Sequence, residues 1–66
     1  MRTLSDLADD YERWAREDDA IISGIMSHVD GLADRLRQEQ LRLATLLADE
    51  ARTLRYDAKR LRRQQV

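Results

Sequence analysis

The side chains that could take part in chemistry are thirteen carboxylates, twelve basic groups and a single histidine, His28. A zinc site needs three or four converging nitrogen, sulfur or carboxylate ligands. The acid nearest to His28 is Asp30, and side chains two positions apart on a helix point in different directions. The chain has no cysteine, which excludes thiolate ligands and disulfides. We therefore predict no metal ion and no other cofactor.

The sequence also lacks the short motifs of common active sites. It contains no phosphate-binding loop, no His-Glu-x-x-His and no nucleophile elbow. Adjacent carboxylates such as Asp49 and Glu50 diverge on a helix, so they do not form an acid–base pair. A helical protein of 66 residues offers little room for a substrate pocket. We predict that the protein is not an enzyme.

Basic residues cluster near the C-terminus, where they could contact phosphates. On a helix, five of them can lie along one strip: Arg52, Arg55, Lys59, Arg62 and Arg63. Such a strip would bind nucleic acid with an affinity that falls with salt concentration. The whole chain has a pI of about 5.7, however, whereas nucleic-acid-binding domains are typically strongly basic. A nucleic-acid-binding homodimer is therefore the alternative hypothesis, and a solvated or internally paired face is the simpler one.

The N-terminal half carries the opposite charge. Four of its acids form a candidate docking face for an arginine-rich groove on a partner protein: Asp9, Asp10, Glu17 and Asp18. Small acidic helical proteins, phage inhibitors among them, can block nucleic-acid-binding surfaces in this way. Complementary charge of this kind steers association and sets specificity. The simpler interpretation is again a solvated helical face.

The elements that position these charges follow from the apolar pattern. Apolar residues recur at steps of three and four, which is the helical period, and the alternation typical of strands is absent. The chain has no proline and 38% charged residues, a composition typical of long helices. The predicted interface for self-association or for a partner follows this stripe: Leu4, Leu7, Tyr11, Trp14, Ile22, Ile25, Leu36, Leu43, Leu47, Ala51, Leu54, Ala58 and Leu61.

Details of the stripe predict how the helices begin and pack. Thr3 or Ser5 is a suitable N-cap, and Asp6 stands where the acid of a capping box reaches back. From residue 44 to residue 61, alanine and leucine alternate along one line. Alanine at every other position would let two helix axes approach closely. Asp18 and Gln40 interrupt the stripe, and polar residues at such positions often fix register or partner choice.

Two glycines, Gly24 and Gly31, offer three possibilities for the middle of the chain. Gly31 could be the C′ residue of a Schellman-like stop. Gly24 could end the first helix while Ser27 caps the second. In the third possibility neither glycine breaks the helix, which leaves one continuous rod. The first two possibilities place helix 1 at about 4–22 or 4–29, a bend within 23–31, and helix 2 at about 32–63.

Charge asymmetry favours the bend. Residues 1–34 hold nine acids and three bases, whereas residues 35–66 hold nine bases and four acids. A hairpin lays the acidic half against the basic half, as does an antiparallel pair of rods. We therefore predict an all-α helical hairpin, with one continuous long helix that pairs antiparallel as the alternative.

A single domain over residues 1–66 is marginally stable alone, and without disulfides or a metal a partner helix is the remaining means of support. We expect the hairpin to assemble as an antiparallel coiled coil or a dimeric four-helix bundle, as a homodimer. The expected function is a protein–protein interaction module that acts as an adaptor or inhibitor on a partner of unknown identity. The sequence has no apolar run of membrane-spanning length and no basic–apolar leader, so a cytoplasmic location without membrane contact is expected.

Overall fold

The computed structural model describes residues 2–64, and over this range the chain is a hairpin of two packed helices. Helix α1 spans Leu4–Met26 and helix α2 spans Asp34–Gln64, with a single 3₁₀ turn at Val29–Gly31 between them. The hairpin measures 50 × 15 × 14 Å along its principal axes. The predicted all-α helical hairpin is confirmed, and the alternative of one continuous helix is wrong.

The two helices run antiparallel, as contacts at both ends of the hairpin show. Arg62, near the end of α2, donates a hydrogen bond to Glu12, near the start of α1. At the other end, Ile25 of α1 packs in one cluster with Ala44 of α2. The acidic half of the chain therefore lies against the basic half, as the charge asymmetry predicts.

Helix α1 begins with the predicted capping box. The hydroxyl of Thr3 accepts a hydrogen bond from the backbone N–H of Asp6 at 3.1 Å, and the Asp6 carboxylate accepts one from the backbone N–H of Thr3 at 3.1 Å. These bonds satisfy backbone donors that have no partner inside the helix. Of the two candidate caps, Thr3 is therefore the one that starts the helix.

The bend does not depend on a glycine with positive φ, because no described residue has one. Gly24 lies inside α1, and Ser27 is the residue that ends this helix rather than the cap of α2. Gly31 belongs to the 3₁₀ turn and not to a Schellman stop. Both predicted roles for the glycines are wrong, because a 3₁₀ turn reverses the chain through right-handed dihedrals that any residue can adopt.

A buried side chain and short-range hydrogen bonds hold the bend instead. Val29 is buried and belongs to the same apolar cluster as Ile25 and Ala44. The backbone N–H of Gly31 donates to the carbonyl of His28 at 3.2 Å, and the next N–H donates to the carbonyl of Val29 at 3.1 Å. The chain thus turns while its apolar stripe stays directed toward the other helix.

Between the helices runs a seam that we define by its buried alanines, spaced seven residues apart within each helix: Ala8, Ala15, Ala44, Ala51 and Ala58. A seven-residue repeat on two antiparallel helices is coiled-coil packing. Small side chains along such a seam allow a close approach of the two axes. The alanines of the predicted packing line on α2 are buried along this seam. Larger aliphatic residues form a buried cluster toward the bend, and half-buried leucines lie beside the alanines along the rest of α2.

The path of the stripe on α1 differs from the prediction at two points. The predicted stripe passes through Leu7 and Trp14, whereas the buried residues are their neighbours Ala8 and Ala15. The physical reason is the close approach of the helices, which leaves room for a methyl group but not for an indole ring. Trp14 is therefore displaced to the edge of the interface, where it is exposed.

Candidate interaction site on the two flanks of the hairpin

The seam divides the hairpin into two flanks of different chemistry. In an antiparallel pair, positions four residues after the seam alanines of both helices lie on one side, and positions one residue before them lie on the other. The first set contains Glu12 and Asp19 on α1 with Arg55 and Arg62 on α2, and we call this side the ion-paired flank. We call the other side the apolar flank, and we define it by five residues: Trp14, Ile21, Leu36, Leu43 and Leu46.

Arginines of α2 meet acids of α1 along the ion-paired flank. The guanidinium of Arg62 donates to Glu12 at 3.2 Å, to Asp9 at 2.6 Å and to the hydroxyl of Ser5 at 3.4 Å. The hydrogen bond with Glu12, and then the one with Asp9, raise the pKa of Arg62 above its ordinary value. Charge and hydrogen bonds are thus matched between the helices on this side.

About two helical turns closer to the bend, Arg55 pairs with Asp19 in the same way. The hydrogen bond from this carboxylate raises the pKa of the Arg55 guanidinium. The two pairs lie seven residues apart on each helix, so they repeat with the seam. The charged groups of this flank are therefore paired between the two helices of the chain.

The apolar flank has no such cover in the hairpin. Trp14 is 40% exposed, Ile21 is 50% exposed and Leu46 is 61% exposed, and the remaining two leucines are exposed as well. Leu46 follows Leu43 by one helical turn, so it extends the same surface outward on α2. The Trp14 ring is supported from behind by Tyr11, with ring centroids 5.7 Å apart. The result is an apolar surface to which both helices contribute.

Two carboxyl groups interrupt this apolar surface at the seam. Asp18 lies on the seam of α1 with only 7% of its surface exposed, and its Oδ2 atom has no hydrogen-bond partner among residues 2–64. Glu50, which precedes Ala51 and so belongs to the side of the apolar flank, reaches Asp18 from α2. The hydrogen bond with Asp18, and then the charge of Asp18, raise the pKa of Glu50. Two carboxyl groups can bond to each other only while one of them holds a proton.

The five predicted phosphate-contacting residues differ in their surroundings. Arg52 pairs with Asp49, while Arg55 and Arg62 pair with acids of α1. Among residues 2–64, Lys59 and Arg63 make no ion pair. An open groove of about 510 Å³ lies along this region, and it is lined by Asp19, Ala48, Ala51, Arg52, Arg55, Tyr56 and Lys59. Phosphate binding by the arginines would therefore compete with acids that already occupy them.

The four acids predicted as one docking face do not share a face. Asp9 bonds to Arg62 on the ion-paired flank, and Asp18 is buried at the seam. Asp10 pairs with Arg2 and Arg13, whereas Glu17 is exposed beside the apolar flank. Helical geometry places Asp10 and Glu17, which are seven residues apart, on one side of α1, and it separates both of them from Asp9 and Asp18.

The residues predicted for an interface fall into three groups of exposure. Ile25, Ala51 and Ala58 are buried within the hairpin, and the half-buried members are Leu7, Tyr11, Ile22, Leu47, Leu54 and Leu61. The exposed members are Leu4, Trp14, Leu36 and Leu43. The prediction omitted Ile21, Leu46 and Glu50. The spacing of seven residues from Trp14 to Ile21 and from Leu36 to Leu43 is the signal that could have found the first of them.

The described part of the chain holds no cluster of three or more histidine, cysteine or acidic side chains placed for a metal ion. Neither helix is long and apolar enough to cross a membrane. Comparison of the chain with protein-family models, with curated proteins and with solved structures found no match.

Proposed function

We propose that the protein is a non-enzymatic interaction module that docks on another protein through its apolar flank, as an adaptor or an inhibitor. The observation that carries this proposal is the difference between the flanks. Arginine–carboxylate pairs lie along one of them, whereas Trp14, Ile21 and three leucines are exposed on the other. Contiguous exposed apolar surface on a small protein is typical of a binding site.

The composition of the seam supports the same proposal. Its alanines bury little apolar area, and hydrophobic stabilisation is roughly proportional to the apolar area removed from water. The five larger apolar side chains of the apolar flank remain largely in water in the hairpin alone. A partner that covers this flank would therefore bury much of the apolar surface that the chain has to offer.

A tryptophan in such a position is a suitable anchor for binding. Aromatic residues are prominent among the side chains that dominate interface energies, particularly where neighbouring contacts exclude water. Trp14 is the only tryptophan of the chain, and Tyr11 supports its ring. A second copy of the chain could also use this anchor, which would give the dimeric four-helix bundle expected from the sequence.

Site-specific photocrosslinking in the cell that makes the protein tests this function. A photoreactive residue would replace Leu46, which is 61% exposed on the apolar flank. The matched control would carry it in place of Tyr56, which is 60% exposed and lines the groove on the opposite side. We expect a discrete protein adduct from position 46 and none from position 56. Equal yields at the two positions, or no adduct at position 46, would contradict the proposal.

The mass of the adduct identifies the kind of partner. An adduct of two chains, each of 7.8 kDa, would show self-association through the apolar flank. Any other discrete mass would show docking on a different protein. Mass spectrometry of the crosslinked peptide would then identify the partner surface that lies against position 46.

A further inference from the structure

We infer that the partner surface seated on the apolar flank is a basic amphipathic helix that places a lysine or arginine against Asp18 and Glu50. The inference rests on the proposed function and adds the chemistry of the partner to it. It is carried by a buried carboxylate with an unpartnered oxygen, by the acids beside it and by the shape of the flank.

The buried carboxylate is the first argument. Asp18 has only 7% of its surface exposed, yet its Oδ2 atom has no hydrogen-bond partner among residues 2–64. Buried charged groups are normally paired, because an unpaired charge removed from water is unfavourable. The neighbouring group is Glu50, a second carboxyl that cannot supply the missing positive charge. An ammonium or guanidinium group from a partner would donate to the exposed carboxylate of Glu50 and would place the missing positive charge beside the buried Asp18.

The location of the pair is the second argument. Glu50 precedes the seam residue Ala51, just as Leu43 precedes Ala44, so the two side chains share one side of α2. A partner on the apolar flank would therefore meet the carboxyl pair at the edge of its apolar contact. The cation would enter from the partner side, since the seam alanines close off the interior behind Asp18.

The charge around the flank is the third argument. Glu17 is exposed next to Asp18, and neither Glu17 nor Glu50 makes an ion pair within the described residues. On the ion-paired flank, by contrast, the acids Asp19 and Glu12 have arginine partners. Two copies of the chain docked through this flank would add a second set of these acids to the first, and like charges in an interface disfavour association. Positive charge on a different partner complements the flank.

The shape of the flank indicates a helix as the occupant. The exposed anchors belong to two neighbouring antiparallel helices, so both helices present apolar side chains on the same side of the hairpin. Their spacing of seven residues, Trp14 to Ile21 and Leu36 to Leu43, corresponds to about 10.5 Å at 1.5 Å per residue. A helix with apolar residues at the same spacing can place one against each anchor, which is the usual manner of helix recognition in a groove.

A display selection against the full chain tests the partner chemistry. The probe is a yeast-displayed library of amphipathic helices of about 20 residues, whose apolar stripe is fixed as leucine. The flanking positions are randomised among lysine, glutamate, glutamine and alanine. We expect the sorted helices to be enriched in lysine over glutamate at the positions next to the stripe. Equal frequencies, or enrichment in glutamate, would overturn the inference.

Charge variants of the chain locate the effect. A selected lysine-bearing helix, synthesised without tryptophan, would be titrated against the chain while the fluorescence of Trp14 is recorded. We expect the double variant Asp18→Asn/Glu50→Gln to weaken its binding about 10-fold or more. The control Asp49→Asn removes an exposed acid away from the flank and is expected to change the affinity by less than about 2-fold. Equal affinities for the double variant and the parent chain would overturn the inference; circular dichroism would verify that both fold.

The same selection separates this inference from the proposed function. Helices that bind irrespective of their charge, and that compete with each other for the apolar flank, would leave the interaction module in place and refute the basic partner. Light scattering that shows a stable dimer, broken by Trp14→Ala but not by Tyr56→Ala, would make a second copy the occupant and would also refute it. Failure to select any helix, together with a monomer and no crosslink at position 46, would refute both.

Discussion

The two flanks of this hairpin come from the same helices and the same seven-residue repeat, yet their side chains differ in chemistry and in exposure. On the ion-paired flank, Arg55 and Arg62 of α2 meet acids of α1, and the chain satisfies its own charges. On the apolar flank, exposed Trp14 and Ile21 face outward beside a pair of carboxyl groups. Exposed ion pairs contribute little to stability but do set the alignment of two helices. The comparison teaches that one flank matches charges within the chain, while the other leaves apolar side chains exposed.

The division into flanks depends on the alanine seam, and a larger seam residue should disrupt it most. Ala51→Leu places a bulky side chain at a position that is 2% exposed, where the helices are in close contact. We expect a loss of about 1–3 kcal/mol in the free energy of unfolding, because overpacking forces the helices apart. Thermal or urea unfolding followed by circular dichroism measures the change.

Ala48→Leu is the matched control for this substitution. Ala48 lies three residues earlier on α2, in the wall of the open groove, and is exposed. We expect a change within about 0.5 kcal/mol, as for most surface substitutions. If both leucine variants unfold alike, the seam is not the tight contact that separates the two flanks.

The seam also shows which parts of the fold could be predicted from the sequence. The helical period, the capping box at Thr3 and the matching of opposite charges are local or summed properties, and they were predicted correctly. The shift from Trp14 to Ala15 was not, because it depends on how close the two helices come. In a pattern based on hydrophobicity, a large aromatic residue outweighs an alanine, although close packing selects the alanine.

The bend and the carboxyl pair were missed for different reasons. Gly24 and Gly31 drew attention because glycine commonly ends helices, yet the buried Val29 and a 3₁₀ turn form the bend. Sequence spacing placed Asp18 in the stripe but could not show that Glu50 would reach it. Contacts between residues 32 positions apart depend on the register of the two helices, which only the folded hairpin specifies.

Substitution of Asp18 in the carboxyl pair is expected to have the next largest effect on stability. It tests whether this buried carboxylate destabilises the isolated hairpin. Asp18→Asn keeps the shape of the side chain and removes a charge that is buried and incompletely hydrogen-bonded. We expect the isolated hairpin to gain about 1 kcal/mol in the free energy of unfolding at pH 7. Urea unfolding of the two proteins measures the gain. A loss of stability instead would show that the Asp18 charge is satisfied within the hairpin.

Glu50→Gln tests the same pair through its pH dependence. Asp18 raises the pKa of Glu50 in the folded chain above the ordinary value of 4.5, so folding favours the protonated form of Glu50. The stability contributed by this proton is present below pH 4.5 and is lost as the pH rises through the raised pKa of the folded state. We expect the variant to melt a few degrees higher than the parent chain at pH 7. This advantage should shrink as the pH is lowered toward 4.5.

The glutamine variant has a control on the same helix. Asp49→Asn removes the adjacent, exposed carboxylate, which pairs with Arg52 on the outer surface of α2. The acid-dependent difference between variant and parent should be specific to position 50, because Asp18 raises the pKa of Glu50. Identical melting curves for Glu50→Gln and the parent at both pH values would mean that the two carboxyl groups do not interact.

The smallest effect is expected on the ion-paired flank, even though its contacts are the more numerous. Arg62→Met keeps much of the length of the side chain and removes its bonds to Glu12, Asp9 and Ser5. We expect the melting temperature to fall by a few degrees at low salt, because these groups are largely solvated and their attraction is screened. The difference should nearly vanish in about 1 M NaCl, where the Debye length is about 3 Å.

Arg63→Met provides the comparison, because Arg63 neighbours Arg62 in sequence but has no ion pair among residues 2–64. It should leave the melting temperature unchanged at either salt concentration. If Arg62→Met lowers stability as strongly as Ala51→Leu, the ion pairs contribute to the folding of the hairpin and do more than align its helices. The two flanks would then still differ in the groups that they expose, but the ion-paired flank would also be needed for the stability of the hairpin.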